Sequence, residues 1–405
     1  MKPGPLGDAR LRVLELFNKY TAYGGEELVA DRILEHLRTF ADVASLRWDS
    51  NDWAGPDAPG KLTQLRKLFY NHDSAQQLRD AVADHRPDVV VCHNLYPIGS
   101  PSVYAAAAAL GVPLLQFVHN FRPFSVSGTL WTGRRVAYEA LAGRHAPEIL
   151  AGAWQGSRLK SAAFSLMLKS AKRKGHFDAV THWLTVSDFM RDTFVWAGLP
   201  EDRVTTLRNF WTLPPEDTDH PDQGYYLFLG RLVPEKGVDT LIEAWDRLHA
   251  QQPDTCPRLV LAGTGPLQNR VAAAAGRNPK IDHPGHVSGD TKRDLIRGCR
   301  AMLAPSVWWE PLGMVTYEAY EHAKPILAAA SGGLPEIIQP GTTGLLHTPG
   351  DPQSLLASVQ TLESMPPEAR QTMGQYGRAW LRQHTSKQQW TRLFVEIADR
   401  ARTRR

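Results

Sequence analysis

The stretch YYLFLGRLVPEKG, residues 225–237, decides the fold of this chain because it leads from a buried strand to a helix through a short glycine-bounded loop. The continuous apolar run Tyr225–Leu229 predicts a strand that is buried on both faces, as in a parallel sheet. The apolar spacing of Val238–His249 predicts a helix directly after the loop. This order of elements predicts a parallel α/β sheet with ligand sites at the carboxyl ends of its strands.

The same alternation continues on both sides of this stretch. The predicted downstream elements are strands Arg258–Ala262, Ala301–Ala304 and Pro325–Ala328, with helices Pro266–Ala275, Lys292–Arg300 and Gly313–His322. The predicted upstream elements are strands Leu11–Phe17, Val89–Cys92, Val112–Val118 and Leu184–Val186, with helices Glu26–Phe40, Pro101–Leu110 and Ser187–Ala197. The expected apolar positions of the first upstream helix are Leu28, Ile33, Leu34 and Leu37. The chain is therefore expected to be an α/β protein with two Rossmann-like, doubly wound parallel-sheet domains that face a cleft.

Length and local composition predict where these domains meet. At 405 residues the chain is long for one domain, and two domains are expected. Residues 211–224 are polar, rich in proline and without periodicity, which predicts an interdomain linker. We expect an N-terminal domain over residues 1–210, a C-terminal domain over 225–385, and a final amphipathic helix over 386–405 that packs back on the first domain.

The overall composition excludes several classes of protein. The three cysteines are widely spaced and odd in number, so neither a disulfide framework nor a zinc site is expected and a cytoplasmic location is favoured. No apolar run approaches the roughly 18 residues of a membrane-spanning helix. The first apolar run, Val13–Phe17, is too short for the core of a signal peptide.

Positive charge is concentrated between residues 89 and 177, where ten Lys and Arg stand against only Glu139 and Glu148. Within this region, residues 158–174 interleave bases with apolar side chains and contain no acid. This pattern suits a surface that rests on anionic lipid, which would make the protein peripheral at the inner face of the cytoplasmic membrane. A solvated basic helix face explains the same pattern equally well. No recognised nucleic-acid-binding motif accompanies the charge, so no nucleic-acid partner is expected.

A candidate phosphate site lies in the loop after Tyr225–Leu229. Arg231 and Lys236 are placed around the start of the following helix, and Gly230 and Gly237 permit a close approach of backbone to a ligand. Two cations and a helix N-terminus suit a diphosphate that is held without a metal ion. The alternative is a surface loop with a solvated arginine and lysine.

A second candidate site begins at Glu310 and reaches Glu318 on the helix that follows. Ionised carboxylates accept hydrogen bonds from sugar and ribose hydroxyls. At the start of that helix, free backbone N–H groups suit a phosphate oxygen; they belong to Gly313, Met314 and Val315. The alternative is a pair of acidic residues that the helix dipole favours without any ligand.

Two positions in the first half are further candidates. Gly24 and Gly25 follow the first strand and permit a ligand to approach the backbone, although a plain turn explains them as well. His119 follows Val112–Val118 at the end of the strand where sites form in parallel sheets, although a structural histidine is the alternative. The chain has no P-loop, H-E-x-x-H, C-x-x-C or G-x-S-x-G motif, so the corresponding chemistries are not expected.

In their order and spacing these motifs resemble those of the glycosyltransferases of family 4, which are retaining, nucleotide-sugar-dependent enzymes of GT-B fold. The resemblance covers nearly the whole chain. Its motifs are Tyr23-Gly24-Gly25-Glu26, His119-Asn120, Ser187, Asn209-Phe210, Gly230-Arg231, Lys236-Gly237, Gly263-Thr264-Gly265-Pro266, Glu310 with Glu318, and residues 331–336. The segments around Gly24 and His119 resemble the exopolysaccharide and cell-envelope branch in particular. Residues 123–131 depart from that branch, which usually has a cysteine-bearing loop here, and this affects the side of the cleft that would bind the acceptor.

The resemblance implies transfer of a sugar from a UDP-, GDP- or ADP-sugar with retention at the anomeric carbon, without a metal or other cofactor. By this resemblance Arg231 and Lys236 would hold the diphosphate, while Glu310 would bind the donor sugar and Glu318 the ribose. The backbone amides that would meet phosphate or sugar are those of Gly24, Gly25, Gly313, Met314 and Val315. His119 would contact the sugar near the reacting carbon, so His119 and Glu310 are the expected catalytic residues.

The same resemblance assigns the acceptor to the N-terminal domain and the nucleotide sugar to the C-terminal domain. The expected acceptor is a lipid-linked or envelope glycan. A soluble metabolite or polysaccharide acceptor is the first alternative, and a non-catalytic nucleotide-sugar-binding protein is the second.

Overall fold

In the computed structural model, which describes residues 10–21, 24–215 and 220–403, strands and helices alternate throughout the first half of the chain. Its strands are β1 (Arg12–Lys19), β2 (Asp42–Asp49), β3 (Val89–Cys92), β4 (Leu114–Val118), β5 (Val180–Thr185) and β6 (Val204–Thr206). Its helices are α1 (Gly25–Phe40), α2 (Lys61–Phe69), α3 (His72–His85), α4 (Ser102–Leu110), α5 (Ala146–Leu150), α6 (Arg158–Arg173) and α7 (Asp188–Trp196).

The second half repeats the alternation and ends in three consecutive helices. Its strands are β7 (Tyr225–Leu229), β8 (Arg258–Ala262), β9 (Ile281–Gly285), β10 (Ala301–Ala304), β11 (Ile326–Ala329) and β12 (Gly344–His347). Its helices are α8 (Val238–Gln251), α9 (Gln268–Arg277), α10 (Gly289–Gly298), α11 (Met314–Glu321), α12 (Leu334–Ile337), α13 (Pro352–Ser364), α14 (Pro367–His384) and α15 (Lys387–Thr403). Short 3-10 helices are Ser50–Trp53, Tyr138–Ala142, His176–Ala179, Glu201–Arg203 and Pro234–Lys236.

Each half forms its own six-stranded parallel sheet. The strand orders are β2-β1-β3-β4-β5-β6 and β12-β11-β10-β7-β8-β9. In each sheet the first strands add in one direction from a central strand, and the later strands add in the opposite direction. The strand order therefore reverses between β1 and β3 in the first sheet and between β7 and β10 in the second. Such a switch point leaves a crevice outside the carboxyl ends of the strands, where ligands bind in doubly wound sheets. The predicted pair of doubly wound parallel-sheet domains is confirmed.

The apolar runs that predicted the central strands lie in the cores of the two domains. All four residues of β3 and all four of β10 are buried, as expected for strands covered by helices on both faces. The edge strand β2 was not predicted, because its sequence DVASLRWD has no apolar run longer than two residues, and only Trp48 is buried. On α1, Ile33, Leu34 and Leu37 are buried as predicted, but the prediction that Leu28 is buried is wrong. Leu28 is 38% exposed, because the buried stripe of the helix runs through its neighbour Val29 instead.

The last helix, α15, returns to the N-terminal sheet although it follows the C-terminal domain in sequence. Its side chains Trp390, Phe394 and Ile397 are buried with Val13 of β1 and Phe117 of β4 in one apolar cluster. Residues 404 and 405 of the predicted final segment lie outside the described residues. No helix in the described ranges is long and apolar enough to cross a bilayer.

The segment between the two sheets is attached to the C-terminal domain where it is described. The Trp211 N–H donates to the Thr385 carbonyl at 2.8 Å, and its indole N–H donates to Glu321 at 2.7 Å. Arg378 donates to the Pro214 carbonyl at 2.8 Å. Residues 216–219 of the predicted linker lie outside the described residues, as do residues 1–9 of the predicted first domain.

Candidate active site between the two domains

The carboxyl ends of the two sheets face each other across a cleft. Trp309, after β10, packs edge-on against Phe121 and Phe189 of the N-terminal domain, with ring centroids 6.4 Å and 5.2 Å apart. Asn209 donates a hydrogen bond to the sulfur of Met314, at the start of α11, at 3.3 Å. Because these contacts join segments that follow strands, residues at the strand ends of both domains border one cleft.

A carboxylate of the C-terminal domain supports this arrangement by capping a helix of the other domain. Glu336 accepts hydrogen bonds from the N–H groups of Asp188, at 2.9 Å, and Phe189, at the start of α7. It also pairs with Arg208 at 2.7 Å. Free N–H groups and the positive end of the dipole at a helix start both favour a carboxylate, so this contact stabilises the approach of the two domains.

The predicted residues Lys236 and Glu310 form an ion pair at the switch point between β7 and β10. Lys236 Nζ lies 2.7 Å from Glu310 Oε2. The same oxygen accepts hydrogen bonds from the Ser306 hydroxyl at 2.8 Å and the Trp308 indole N–H at 3.1 Å. Glu310 is buried, and these three donors compensate the cost of burying its charge.

Glycines hold the loops of this site together at distances that no side chain would permit. Gly237 has φ +74°, and a Cβ there would lie 2.0 Å from the Pro305 carbonyl oxygen. Gly332 has φ +60°, and a Cβ there would lie 2.1 Å from the Glu310 carbonyl oxygen. The next amide, that of Gly333, donates to this carbonyl at 2.8 Å. The backbone that carries Glu310 is therefore fixed from two sides.

Arg231 is placed differently from Lys236. Its side chain is 70% exposed, and its contact with Glu235 is long, at 3.9 Å. An exposed arginine with one weak partner retains the freedom to turn toward a ligand. The structure therefore places Arg231 at the rim of the site and Lys236 inside it.

Helix α11 begins at the predicted amides and carries Glu318 on its second turn. Gly313, the residue before the helix, has φ +82°. Within the described parts of the chain, no acceptor takes a hydrogen bond from the N–H groups of Gly313, Met314 or Val315. Glu318 pairs at 2.9 Å with Lys292 of α10, a residue that the sequence analysis did not single out. The pairing has no local sequence signal, because α10 and α11 are separated by β10.

On the other side of the cleft, His119 lies directly after β4 and contacts a second histidine, His93, after β3. His119 Nε2 and His93 Nδ1 are 3.0 Å apart. Burial lowers the pKa of His119 to about 4. Burial and the neighbouring His119 also lower the pKa of His93 well below its usual range. Both rings are therefore neutral near pH 7, so His119 can offer a hydrogen bond but not a positive charge. His93 was missed because it is a single histidine after a strand and has no motif of its own.

Gly24 and Gly25 lie at the start of α1, in the connection that follows β1. Gly24 is the residue before the helix, and a Cβ at either glycine would meet nothing within 4 Å. The predicted approach of a ligand therefore has open space. Tyr23 of the same motif lies outside the described residues.

The structure thus brings the predicted residues to two facing strand ends. Those of the C-terminal domain surround the switch point between β7 and β10, and those of the N-terminal domain lie after β1 and β4. Within residues 10–21, 24–215 and 220–403, no group of three or more His, Cys, Asp or Glu could hold a metal ion. Cations, free amides and carboxylates together suit a ligand that carries both phosphate and hydroxyl groups.

Two family matches divide the chain between them. Residues 210–380 match the family described as "Glycosyl transferases group 1". Residues 36–209 match the "Glycosyl transferase 4-like domain". Together the matches include every C-terminal candidate residue and His119, and they leave out Gly24 and Gly25.

The sequence is also similar to individual glycosyltransferases, at low identity and over part of the chain. D-inositol 3-phosphate glycosyltransferase of Streptomyces scabiei is 28% identical over 289 residues, which is 67% of this chain and 60% of the relative. Glycogen synthase of Mycobacterium tuberculosis is 28% identical over 295 residues, 70% of this chain and 62% of the relative. The chain therefore spans less than two thirds of the length of these curated relatives.

Solved structures share the fold over almost the full length. A crystal structure of HepE from Anabaena in complex with UDP and glucose covers 96% of this chain and 99% of its own, with a TM-score of 0.64 and 18% identity. At this identity the likeness shows a common fold.

Proposed function

We propose that this chain, which belongs to the GT-B glycosyltransferases of the GT4 type, is a retaining enzyme that transfers a sugar from a nucleoside diphosphate sugar to an acceptor hydroxyl. The observation that carries the proposal is the Lys236–Glu310 pair, 2.7 Å apart, whose glutamate is buried at the switch point of the C-terminal sheet. It places a cation for phosphate and a carboxylate for hydroxyl groups side by side. A sugar diphosphate presents both groups within a few ångströms of each other, which supports it as the ligand.

The donor would be held without a metal. Lys236, Arg231 and the free amides at the start of α11 would bind the diphosphate, while Glu310 binds sugar hydroxyls and Glu318 the ribose. Charge-assisted hydrogen bonds contribute about 1.5–3 kcal/mol each, and a helix start contributes up to ~2 kcal/mol. A total of about 5–8 kcal/mol corresponds to dissociation constants from sub-millimolar to micromolar. The UDP bound in the Anabaena structure makes UDP the first nucleotide to test.

In the proposed reaction the acceptor oxygen bonds to the anomeric carbon on the face from which the diphosphate leaves. The bond from that carbon to the phosphate oxygen breaks, and the proton of the acceptor hydroxyl passes to the departing phosphate. Lys236 and Arg231 stabilise the charge that develops on the leaving group. The neutral His119 contributes a hydrogen bond to the donor sugar near the reacting carbon.

The proposed acceptor is a lipid-linked or envelope glycan at an anionic membrane surface. Helix α6 supports this, because Leu159 and Leu166 are 81% and 59% exposed among its exposed basic residues. The names of the two relatives above favour a second candidate, transfer to a soluble small molecule or a polysaccharide. The two candidates share the donor site and differ in the acceptor.

The first experiment is thermal unfolding of the purified chain with UDP, GDP, ADP and their glucose conjugates, each with and without magnesium. We expect one nucleotide to raise the melting temperature equally in both conditions. Saturation at 100 times the dissociation constant adds about 2.7 kcal/mol, which corresponds to roughly 5–10 °C for a domain of this size.

The matched variants are Arg231→Ala and Arg247→Ala, both in the C-terminal domain. The first should reduce the nucleotide shift, while the second, in an exposed pair with Glu243 on α8, should leave it unchanged. No shift with any nucleotide would contradict the donor site, and a shift only with magnesium would contradict metal-independent binding.

A further inference from the structure

A second carboxylate network lies across the cleft from the donor site. Glu26, on the first turn of α1, accepts hydrogen bonds on Oε2 from the Tyr20 hydroxyl at 2.7 Å and from the Asn120 amide at 2.7 Å. Asn120 is fixed in turn, because its side-chain oxygen accepts a hydrogen bond from the Arg122 N–H at 2.8 Å. One carboxylate oxygen thus accepts from a donor six residues before Glu26 and from a donor 94 residues after it.

The network spans the switch point of the N-terminal sheet. Tyr20 follows β1, and Asn120 follows β4. The strand β3 lies between β1 and β4 in the sheet. It is followed directly by His93, which contacts His119. In a doubly wound sheet this crevice is where a ligand binds. The neighbour of Asn120, Phe121, packs against Trp309, and Trp309 directly precedes Glu310. The Glu26 network is therefore adjacent in the chain to a residue that contacts the loop of the proposed donor site.

Glu26 also lacks the positively charged partner with which a structural carboxylate usually forms an ion pair. Within the described parts of the chain it forms no ion pair, and both of its hydrogen bonds come from neutral donors to the same oxygen. No donor among those residues reaches the other oxygen, Oε1. The Arg122 guanidinium instead lies over the rings of Trp154 and Phe164, 4.7 Å and 5.4 Å from their centroids. An oriented carboxylate with one open oxygen suits an external hydroxyl donor.

The raised pKa of Glu26 is also consistent with a carboxylate that binds an external group. The pKa of Glu26 is raised to about 7, chiefly by burial and to a small extent by the nearby Glu27, although Tyr20, Arg122 and Asn120 act to lower it. The protein thus holds a carboxylate in a place that opposes its ionisation, as functional sites often do. His119 does not change charge in the same range, because its pKa is lowered to about 4.

We propose that Glu26, oriented by Tyr20 and Asn120, binds a hydroxyl group of the acceptor and positions it toward the donor sugar. The acceptor at this point is an uncharged hydroxyl-bearing group, since a phosphate or carboxylate would be repelled by the ionised glutamate. The inference rests on the proposed transferase activity and adds the acceptor side to it.

The test compares Glu26→Gln with the wild-type chain and with Glu35→Gln, an exposed glutamate on the same helix. Radiolabelled UDP-glucose, GDP-mannose and ADP-glucose serve as donors. Membrane and soluble polysaccharide fractions of the organism that encodes the chain serve as acceptors. Two products are measured: sugar incorporated into either fraction, and free sugar released to water. Nucleotide binding is measured in parallel by thermal shift.

We expect Glu26→Gln to reduce incorporation by at least 30-fold, while nucleotide binding and release of free sugar stay within about twofold of wild type. Wild-type incorporation should rise with pH through about 7 as Glu26 ionises, and this rise should be absent in Glu26→Gln. Glu35→Gln should behave as wild type.

A stability measurement separates this role from a purely structural one. The folded carboxyl keeps its proton up to about pH 7, whereas the unfolded one loses it at its ordinary pKa, so ionisation costs stability as pH rises between these values. Relative to wild type, Glu26→Gln should therefore be more stable at pH 8 than at pH 5.

Equal losses of incorporation and of free-sugar release, or unchanged incorporation, would overturn the acceptor role. A variant that is equally destabilised at both pH values would also overturn it, because Glu26 would then be a structural group. If the wild-type chain neither incorporates nor releases sugar from any of the three donors, the proposed function itself fails, and the acceptor role fails with it.

Discussion

At the scale of single residues, the Lys236–Glu310 pair links the stability of the fold to the proposed binding of the donor. Only 26% of the lysine side chain and 9% of the glutamate side chain are exposed. Removing one partner of such a pair leaves the other charge buried, whereas removing both charges is often close to neutral for stability. The pair therefore permits a test in which folding and function change separately.

We expect Lys236→Met to lower turnover of the donor at least 100-fold and to lower the free energy of unfolding by about 1.5–3 kcal/mol, the value of a hydrogen bond to a charged group. The double variant Lys236→Met/Glu310→Gln should regain most of the stability but none of the turnover. Urea unfolding and nucleotide release measure the two quantities.

The matched control is Arg293→Met, which breaks an exposed pair with Asp290 on α10. It should change stability by less than about 1 kcal/mol and leave turnover unchanged. If the double variant stays as unstable as Lys236→Met, the loss arises from packing of the lysine chain, and the charge argument is wrong.

At the scale of secondary-structure elements, helix α6 has two distinct faces. Phe164, Met167 and Leu168 are buried in an apolar cluster that also contains Leu68 of α2. The outer face is basic but carries Leu159 and Leu166, and the adjoining α2 exposes Leu62 by 71%. A purely solvated face would not require these leucines, so the proposed contact with anionic lipid explains more of the surface than the alternative does.

Replacing Lys172, Arg173 and Lys174 with Ala should weaken binding to vesicles of phosphatidylserine and phosphatidylcholine. Each base near an anionic surface contributes about 1 kcal/mol, so we expect a loss of roughly 100-fold at low salt that shrinks as salt is added. Flotation or sedimentation with vesicles at two ionic strengths measures this loss.

The control replaces three exposed bases of the other domain, Arg247, Arg270 and Arg293, with Ala. This variant removes the same net charge as the first. If lipid binding depends on the bases at residues 172–174 and not on the net charge of the protein, it should leave vesicle binding nearly unchanged. Equal effects of the two triple variants, or no effect of either, would remove the proposed membrane contact and favour the soluble acceptor.

At the scale of the whole molecule, the last helix ties the end of the chain to the first domain. Phe394 of α15 is fully buried beside β-strand residues of the N-terminal sheet. Phe394→Ala should cost about 3–5 kcal/mol, and the loss should appear in the N-terminal domain rather than in the domain that precedes α15 in sequence. Amide hydrogen exchange resolves the two domains, with faster exchange expected in β3, β4 and β5.

Arg392→Ala, two residues earlier on the exposed side of α15, is the control and should change exchange in neither domain. Faster exchange confined to α13 and α14 in the Phe394 variant would show that α15 contributes to the C-terminal domain instead.

Much of the fold could be predicted because short buried strands have a local signature. The strands Val89–Cys92, Tyr225–Leu229, Arg258–Ala262 and Ala301–Ala304 begin and end at the predicted residues. The edge strand β2 lacks such a run, and all of its side chains except Trp48 are exposed or half-buried. Leu28 was assigned to the buried stripe of α1 although Val29 occupies it, because helical spacing alone does not fix which way a helix is rotated.

The sequence by itself determined the fold class and the loops that border the proposed donor site, because strand periodicity and glycine-bounded turns are local properties of the chain. Only the tertiary structure decided which side chains meet: Lys292 with Glu318, His93 with His119, and Glu26 with Tyr20 and Asn120. Each of these contacts joins segments separated by at least one strand or helix, or depends on the direction in which a loop leaves its strand. Their partners, and therefore their charges and pKa values, follow from packing in three dimensions.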